Sequence, residues 1–482
     1  MNFLKLTFLC FFLSIAIIQC NQPKQESAVK MEAVEEEEVL DSATLEAMEN
    51  YKTLCSGCHG EQMMAFADRK WKHGKVRDSI YNSIKGGYAE AGMPSWGASL
   101  TDSEINNLTS YILKGIENVA RYGFQEETLV SDTFETEMVK FNLDTIASGL
   151  TVPWGMTFLP SGDLLVTDRS GELYRVGNDG EKILIKGTPK VWFKGQGGLL
   201  DIELHPDFEN NKWLYLSYSD ISVDGKDTLS GTAVSRYKFE NDQLVSGKKL
   251  LECQPYSTKG QHFGSRLEFD KEGYLFISAG DRGNGDENPQ SLASHCGKIH
   301  RINDDGSIPK DNPFVNQAGT VASVYSYGHR NPQGLAMQPS TGVIWEHEHG
   351  PRGGDEVNRI SKGMNYGWPV ISYGLNYDGT TFTNKLDSAG MEQPELYWVP
   401  SIAPSGMTFV NTDKYPGWEG DLLVGSLRFK YLNRCKIDGD KIVAEEIMMK
   451  NIGRVRNVEV GLDGYIYVAV EKPGYVFRLM PI

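Results

Sequence analysis

From about residue 143 to the end, the chain returns to one phrase: a turn with Gly or Asp, a short apolar run rich in β-branched and aromatic residues, another turn and a second such run. The clearest copies begin Asp163-Leu164-Leu165-Val166, Trp213-Leu214-Tyr215-Leu216, Tyr274-Leu275-Phe276-Ile277, Val343-Ile344-Trp345, Asp421-Leu422-Leu423-Val424 and Tyr465-Ile466-Tyr467-Val468. Each is followed by a partner run, such as Glu172-Leu173-Tyr174-Arg175-Val176 or Tyr475-Val476-Phe477-Arg478-Leu479. Apolar runs of four or five residues bounded by turn formers read as strands. Six copies over residues 143–482 leave roughly 57 residues per unit, room for a four-stranded blade and a loop, so the predicted architecture is mainly β, a six-bladed β-propeller. An isolated blade cannot cover both of its faces, whereas a closed ring can. The uneven spacing of the copies predicts long inserted loops, the segments in which a propeller carries its site.

The first part of the chain has a different period. Leu45, Met48, Tyr51 and Cys55 recur near helical spacing, and Thr101 with Glu104 forms a capping box ahead of Ile105, Leu108, Ile112 and Ile116 on one face. A small all-α domain is therefore expected over residues 42–118, joined to the propeller by a linker over 119–142. Before it, Lys5 precedes the apolar run Leu6 to Ile18, the pattern of a secretory signal and too short to span a membrane. The run ends directly at Cys20 and so resembles a bacterial lipoprotein signal, which implies acylation of Cys20, a membrane tether and a periplasmic or cell-envelope location. Residues 21–41, with Glu32, Glu35, Glu36, Glu37, Glu38 and Asp41, read as a self-repelling acidic spacer.

Composition narrows the partners. The 482 residues carry 48 basic and 64 acidic side chains, a formal charge of -16 that argues against a nucleic-acid binder. Of 7 cysteines, only Cys55, Cys58, Cys253, Cys296 and Cys435 fall in the folded part, an odd and sparse set that is no disulfide framework. Cys55-Ser56-Gly57-Cys58-His59 has the pattern of covalent haem c attachment, in which two thiols take the vinyl groups and the adjacent imidazole reaches the iron. Gly92-Met93-Pro94-Ser95-Trp96 lies between the two helical patterns, where a thioether could supply the second axial ligand; His73, Met63 and Met64 are the alternatives. The segment resembles a class I cytochrome c, and that resemblance implies His59 and Met93 as the iron's ligands.

The propeller's loops carry further phrases: Gln196-Gly197-Gly198-Leu199-Leu200, Gly260-Gln261-His262-Phe263-Gly264-Ser265-Arg266, Ala279-Gly280-Asp281-Arg282-Gly283, and Tyr327-Gly328-His329-Arg330-Asn331-Pro332-Gln333-Gly334. Glu348-His349-Gly350-Pro351 with Asp355-Glu356, and Asn365-Tyr366-Gly367-Trp368-Pro369, follow them. Together, and in this order, they resemble the soluble quinoprotein dehydrogenases, the pyrroloquinoline quinone (PQQ)-dependent glucose and aldose sugar dehydrogenase family, over the whole of residues 143–482. The resemblance implies His262 as the general base and Asp281 as the carboxylate that orients it; imidazole, which titrates near neutral pH, suits the first role. It implies Arg330, Asn331, Arg454 and Arg456 as the grip on the cofactor's carboxylates, with Arg330 also polarising the quinone carbonyl, and Gln196 and Ser401 as further contacts. Arg428 stands where the family often has a lysine.

The same resemblance implies that the backbone oxygens of Gly350 and Pro351 hold a catalytic Ca2+, and that Glu356 and the Tyr366 carbonyl hold a structural one. Around Trp398-Val399-Pro400-Ser401 the spacing shifts by one, leaving Val399 where the family has an aromatic. The expected activity is oxidation of an aldose or related alcohol with PQQ, with electrons leaving through the chain's own haem to another cytochrome or the respiratory chain. Two other classes are distinguishable. A non-catalytic binding propeller predicts loss of the base or the arginines, and a calcium-dependent lactonase predicts carboxylate and Asn side chains around a central ion.

Overall fold

The computed structural model describes residues 41–55, 73–89, 93–122, 131–177, 180–376 and 382–482. The segment expected to be a signal, with Cys20, the acidic stretch through residue 40, Cys58, His59, Met63 and Met64 lie outside the described residues.

Helices Ser42–Asn50, Arg77–Gly86 and Asp102–Tyr122, with a wide turn over Tyr51–Cys55, make the small α region. The capping box forms as expected: the Thr101 amide donates to Glu104 Oε2 at 2.6 Å, and the Glu104 amide to Thr101 Oγ1 at 3.3 Å. Ile105, Leu108 and Ile112 are buried with Tyr51, Cys55, Ile80, Ile84 and Trp96, and Met93 packs against this core. The first helix does not bury the expected face. Leu45 and Met48 are 53% and 37% exposed, and Ala47 turns inward instead. The wide turn at Tyr51–Cys55 breaks the 3.6-residue register between the helix and the two residues that do reach the core.

The remainder is a six-bladed β-propeller. Five blades are four-stranded antiparallel sheets and the sixth has five strands. The repeated phrases are the second and third strands of each blade: Leu164–Asp168, Trp213–Asp224, Leu275–Ala279, Ile344–Glu348, Leu422–Ser426 and Ile466–Glu471 are the second strands. Inside them lie Pro153–Phe158, Leu199–Leu204, Leu267–Phe269, Pro332–Met337, Pro404–Phe409 and Arg454–Val460, which neighbour one another in a closed ring. Lys140–Ala147 pairs with the last strand, Tyr475–Pro481, placing Leu143 opposite Leu479, and Thr133–Glu135 adds the outermost strand. The propeller's two ends thus complete one blade, which closes the ring. Blade strands begin at Thr133, ahead of the expected boundary at 143, and the preceding helix runs to Tyr122, past 118. The core lies between adjacent blades, as where Leu165, Leu173 and Leu199 pack with Leu214 and Leu216.

Candidate active site

In an antiparallel blade the start of the first strand and the end of the second lie at the same edge. Every propeller residue singled out for catalysis or for gripping the quinone occupies such a position. His262 precedes Leu267–Phe269 and Asp281 follows Leu275–Ala279; Arg330 and Asn331 precede Pro332–Met337, and Gly350 follows Ile344–Glu348. Ser401, Arg428, Arg454 and Arg456 take the matching places in the fifth and sixth blades, and Gln196 does so in the second. One end of the ring therefore collects them.

His262 and Asp281 meet directly, Nδ1 lying 2.7 Å from Asp281 Oδ1, and both side chains are buried. The approach needs glycine: a Cβ on Gly280 would stand 2.3 Å from the His262 carbonyl oxygen. The His262 amide donates to Gln196 Oε1 at 2.8 Å, so Gln196 holds the backbone of His262. Asp281 also accepts the Gly283 amide at 2.6 Å and Trp368 Nε1 at 3.0 Å, and its own amide donates to the Arg330 carbonyl at 2.8 Å. Burial lowers the His262 imidazole's affinity for a proton and the Arg330 charge lowers it further, outweighing the pull of Asp281. Burial opposes ionisation of Asp281, but its contact with His262, the Arg330 charge and the Gly283 amide hold it below the usual carboxylate range. An ionised carboxylate only accepts, so Nδ1 carries the imidazole proton and Nε2 keeps its lone pair. No protein group bonds to Nε2 among the described residues.

Arg330 Nη1 donates to the carbonyls of His349 at 3.0 Å and Gly350 at 2.7 Å, and its Nε is buried without a partner. Asn331 Oδ1 accepts the Gly264 amide at 3.2 Å and Gln333 Nε2 at 3.4 Å. Gln333 reaches Arg456 Nη1 in turn, 3.4 Å away, so the base loop and the arginines share one network. Arg454 Nε donates to Glu471 Oε2 at 2.9 Å and Arg456 Nε to Oε1 at 2.7 Å. Both arginines thus face the same carboxylate, as their spacing predicts. Burial lowers Arg456 to about 10, with Glu471 opposing. Burial would raise Glu471, but Arg456 and Arg454 pull its carboxyl far below the usual range.

Two partners in this cluster were not legible as site residues. Glu471 ends the second strand of the sixth blade, and Arg169 follows the corresponding strand of the first. Arg169 donates to the Gly195 carbonyl at 2.7 Å, keeps a buried unpartnered Nε, and feels the charges of Glu471 and Arg454. Neither sits in a recognisable phrase; only the rule of strand ends points to them. Ser401 donates to Asp355 Oδ2 at 2.6 Å, and Asp355 Oδ1 accepts the Gly350 amide at 2.9 Å, so Ser401 braces the Gly350-Pro351 turn. Arg428 Nη1 donates to the Ser401 carbonyl at 3.2 Å and its Nε is unpartnered. Val399 is exposed.

A cavity is lined by Arg330, Glu348, Gly350, Glu356, Tyr366 and Trp368, among others. Glu356 and Tyr366 come together there. Behind it His329, Glu346 and Glu348 bring one ligand-type atom each within 4.8 Å of one another, and Glu346 Oε2 and Asn358 Oδ1 are buried without partners. Oxygen donors of this kind suit a hard cation. In the α region, Cys55 is buried, the His73 ring stacks on Tyr88 at 3.7 Å, and Tyr88 pairs through its backbone with Met93.

Residues 150–478 match the Glucose / Sorbosone dehydrogenase family, and residues 42–112 match the family described as Cytochrome C oxidase, cbb3-type, subunit III. The chain is 41% identical over 349 residues to the aldose sugar dehydrogenase YliI of Escherichia coli, covering 70% of this chain and 93% of that protein. The solved apo-form of the soluble aldose sugar dehydrogenase from Escherichia coli superposes with a TM-score of 0.67 at 40% identity, covering 71% of this chain and 100% of the other. The PQQ-bound aldose sugar dehydrogenase from Streptomyces coelicolor gives a TM-score of 0.59 at 27% identity, covering 73% and 99%. With the base pair, the arginine cluster and the ring of blades in place, the chain belongs to the glucose/sorbosone dehydrogenase family and carries a cytochrome c domain ahead of its propeller.

Proposed function

We propose that this chain is a membrane-tethered, periplasm-facing quinohaemoprotein that oxidises the C1 hydroxyl of an aldose, or a similar alcohol, and passes the electrons to its own haem. The observation that carries the reading is a buried imidazole with Nδ1 pinned to a carboxylate and Nε2 free, beside a cluster of arginines with unsatisfied N–H groups.

Those arginines fit a small polyanion. Arg169, Arg330 and Arg428 each hold a buried Nε with no partner, and Arg454 and Arg456 share the single carboxylate of Glu471. The arginines outnumber the one carboxylate they share, and the carboxylates of PQQ would balance the excess charge, with Arg330, Asn331, Arg428, Arg454 and Arg456 holding the group and Gln196 and Ser401 bracing the loops around it. When bound, PQQ supplies a two-electron acceptor for the hydride from the substrate's C1. His262 Nε2 takes the hydroxyl proton, Asp281 steadies the imidazolium that results, and Arg330 places positive charge where negative charge grows. The Gly350 carbonyl already accepts one N–H from Arg330 and keeps a second lone pair. Together with Pro351 it fits the Ca2+ that acts as a Lewis acid in this chemistry. Glu356 and Tyr366, with the acidic group behind their cavity, fit a structural Ca2+. A haem bonded through Cys55 and Cys58, with His59 and Met93 on the iron, supplies the one-electron outlet; fusing it to the propeller replaces a collision with an intramolecular step.

Dye-coupled oxidation of a panel of aldoses by protein loaded with PQQ and Ca2+ tests the reading. Turnover of at least one aldose is expected, with little in H262A. Absence of turnover with every sugar and alcohol tried, despite bound quinone, would sink it.

A further inference from the structure

The loop that delivers His262 is held in an unusual way. His262 has φ +55°, in the left-handed region that few residues other than glycine occupy, although histidine, like Asn and Asp, is found there more often than most. Such a conformation persists only where the surroundings enforce it. Gln196 accepts the His262 amide and donates its own to the Gly260 carbonyl at 2.7 Å, Thr232 Oγ1 donates to the Phe263 carbonyl at 2.5 Å, and the carbonyls of Lys259, Gln261 and His262 fall to a single buried residue, Arg282.

Arg282 follows Asp281, and its guanidinium turns back beneath the base loop. Nη1 donates to the Gln261 carbonyl. Nη2 donates to the Lys259 carbonyl at 2.5 Å and to the Ser230 carbonyl at 3.2 Å. The guanidinium lies 3.6 Å from the centre of the Phe263 ring, and the Arg282 amide donates to the His262 carbonyl at 3.3 Å. Residues on both sides of the base, and the base's own carbonyl, are therefore held by one residue. Among the described residues no carboxylate bonds to the guanidinium, and Nε has no partner. A buried cation held only by carbonyls is expensive to keep, so packing alone does not account for it. The planar fork instead directs two nitrogens at three converging carbonyls while its face lies on the Phe263 ring, an arrangement that a single ammonium does not reproduce.

We propose that Arg282 is a positioning residue for the dehydrogenase reaction, fixing the Lys259–Phe263 loop so that His262 meets Asp281 with Nε2 turned to the substrate. The inference rests on His262 being the base. The charged groups around the imidazole are Asp281, which favours its protonated form, and Arg330 and Arg282, which disfavour it; Lys259, on the same loop, donates from Nζ to the Gly283 carbonyl. Arg282 thus also helps keep the imidazole neutral and able to accept a proton.

The test uses the full chain loaded with PQQ and Ca2+, with kcat and KM for an oxidised aldose measured from pH 5 to 9 in wild type, R282K, R282Q and H262A, alongside thermal melting. R282Q should lose about 30-fold in kcat with KM within about threefold, because a misplaced base weakens the chemical step more than binding. Its acid limb should move to higher pH. R282K keeps the charge but not the fork, so it should lose kcat while leaving the acid limb in place. Should R282Q fail to fold, R282K carries the test alone: a kcat loss at a melting temperature near wild type supports the role. Variants that keep kcat within twofold and differ only in melting temperature overturn it. If H262A is as active as wild type, the base itself is misassigned; if H262A is dead and both arginine variants are normal, only the role of Arg282 falls.

Discussion

Asp281 is fully engaged by His262 Nδ1, the Gly283 amide and Trp368 Nε1, leaving only His262 Nε2 open, whereas Arg454 and Arg456 share Glu471, and Arg169, Arg330 and Arg428 leave N–H groups unmatched. Both regions sit at the same end of the propeller. The base pair is complete before any ligand arrives, so its geometry is independent of the cofactor. The cation cluster is provisionally neutralised by one carboxylate, and its electrostatics change when a polyanion enters. On the proposed reading, the orientation of the imidazole is built into the fold, and quinone affinity depends on how far Glu471 competes for the arginines.

The largest effect is expected where the finished pair is broken. D281N removes the carboxylate that fixes the tautomer and should lower kcat about 1,000-fold with the quinone still bound, as read by steady-state kinetics and by quinone absorbance. Next, R456A should weaken PQQ binding by about 100-fold in equilibrium titration, since it deletes a charge-assisted contact and leaves Glu471 with one partner fewer. E471Q sharpens the comparison. It leaves two arginines without a counter-charge, so the ligand-free protein should melt several degrees lower, and PQQ should raise its melting temperature more than it raises that of wild type.

The pH dependence is subtler. Protonation of Nε2 abolishes the base, and burial with the Arg330 charge lowers the imidazole's proton affinity. The acid limb of kcat/KM should therefore lie below the ordinary imidazole value of about 6.5, with activity retained as pH falls through 7 and lost only further down. The smallest effect is expected for W368F, which loses one of several bonds to Asp281 and should lower kcat about threefold.

The repeated phrases were readable because second strands are buried on both faces and become apolar runs such as Leu164, Leu165 and Val166. The innermost strands are buried too, but Pro153-Trp154-Gly155-Met156 and Pro404-Ser405-Gly406-Met407 mix glycine and polar residues with apolar ones, because neighbouring backbones crowd them: a Cβ on Gly155 would stand 2.9 Å from the Asp201 Cα and one on Gly406 2.5 Å from that of Asn457. The boundary at 143 fell late because Thr133–Glu135 and Lys140–Ala147 acquire their meaning only by pairing with the chain's other end. Leu45 and Met48 looked like a core face because periodicity cannot foresee the wide turn at Tyr51–Cys55. Within the site, His262, Asp281 and Arg330 stood out through their glycine-rich phrases, which exist to let backbones meet. Arg169 and Glu471 lie in ordinary strand ends, where only the three-dimensional ring gives them a partner. Ser401 was legible as a site residue, yet its hydroxyl braces Asp355, a role that spacing does not reveal.

If the free imidazole nitrogen starts a reaction whose electrons end on the haem of the same chain, rapid mixing of the PQQ- and Ca2+-loaded protein with an aldose, followed at the haem α-band over a range of protein concentrations, should show haem reduction at a rate independent of protein concentration and slowed at least about 100-fold in H262A. A haem that stays oxidised while an external dye is reduced, or a rate that H262A leaves unchanged, would contradict that route.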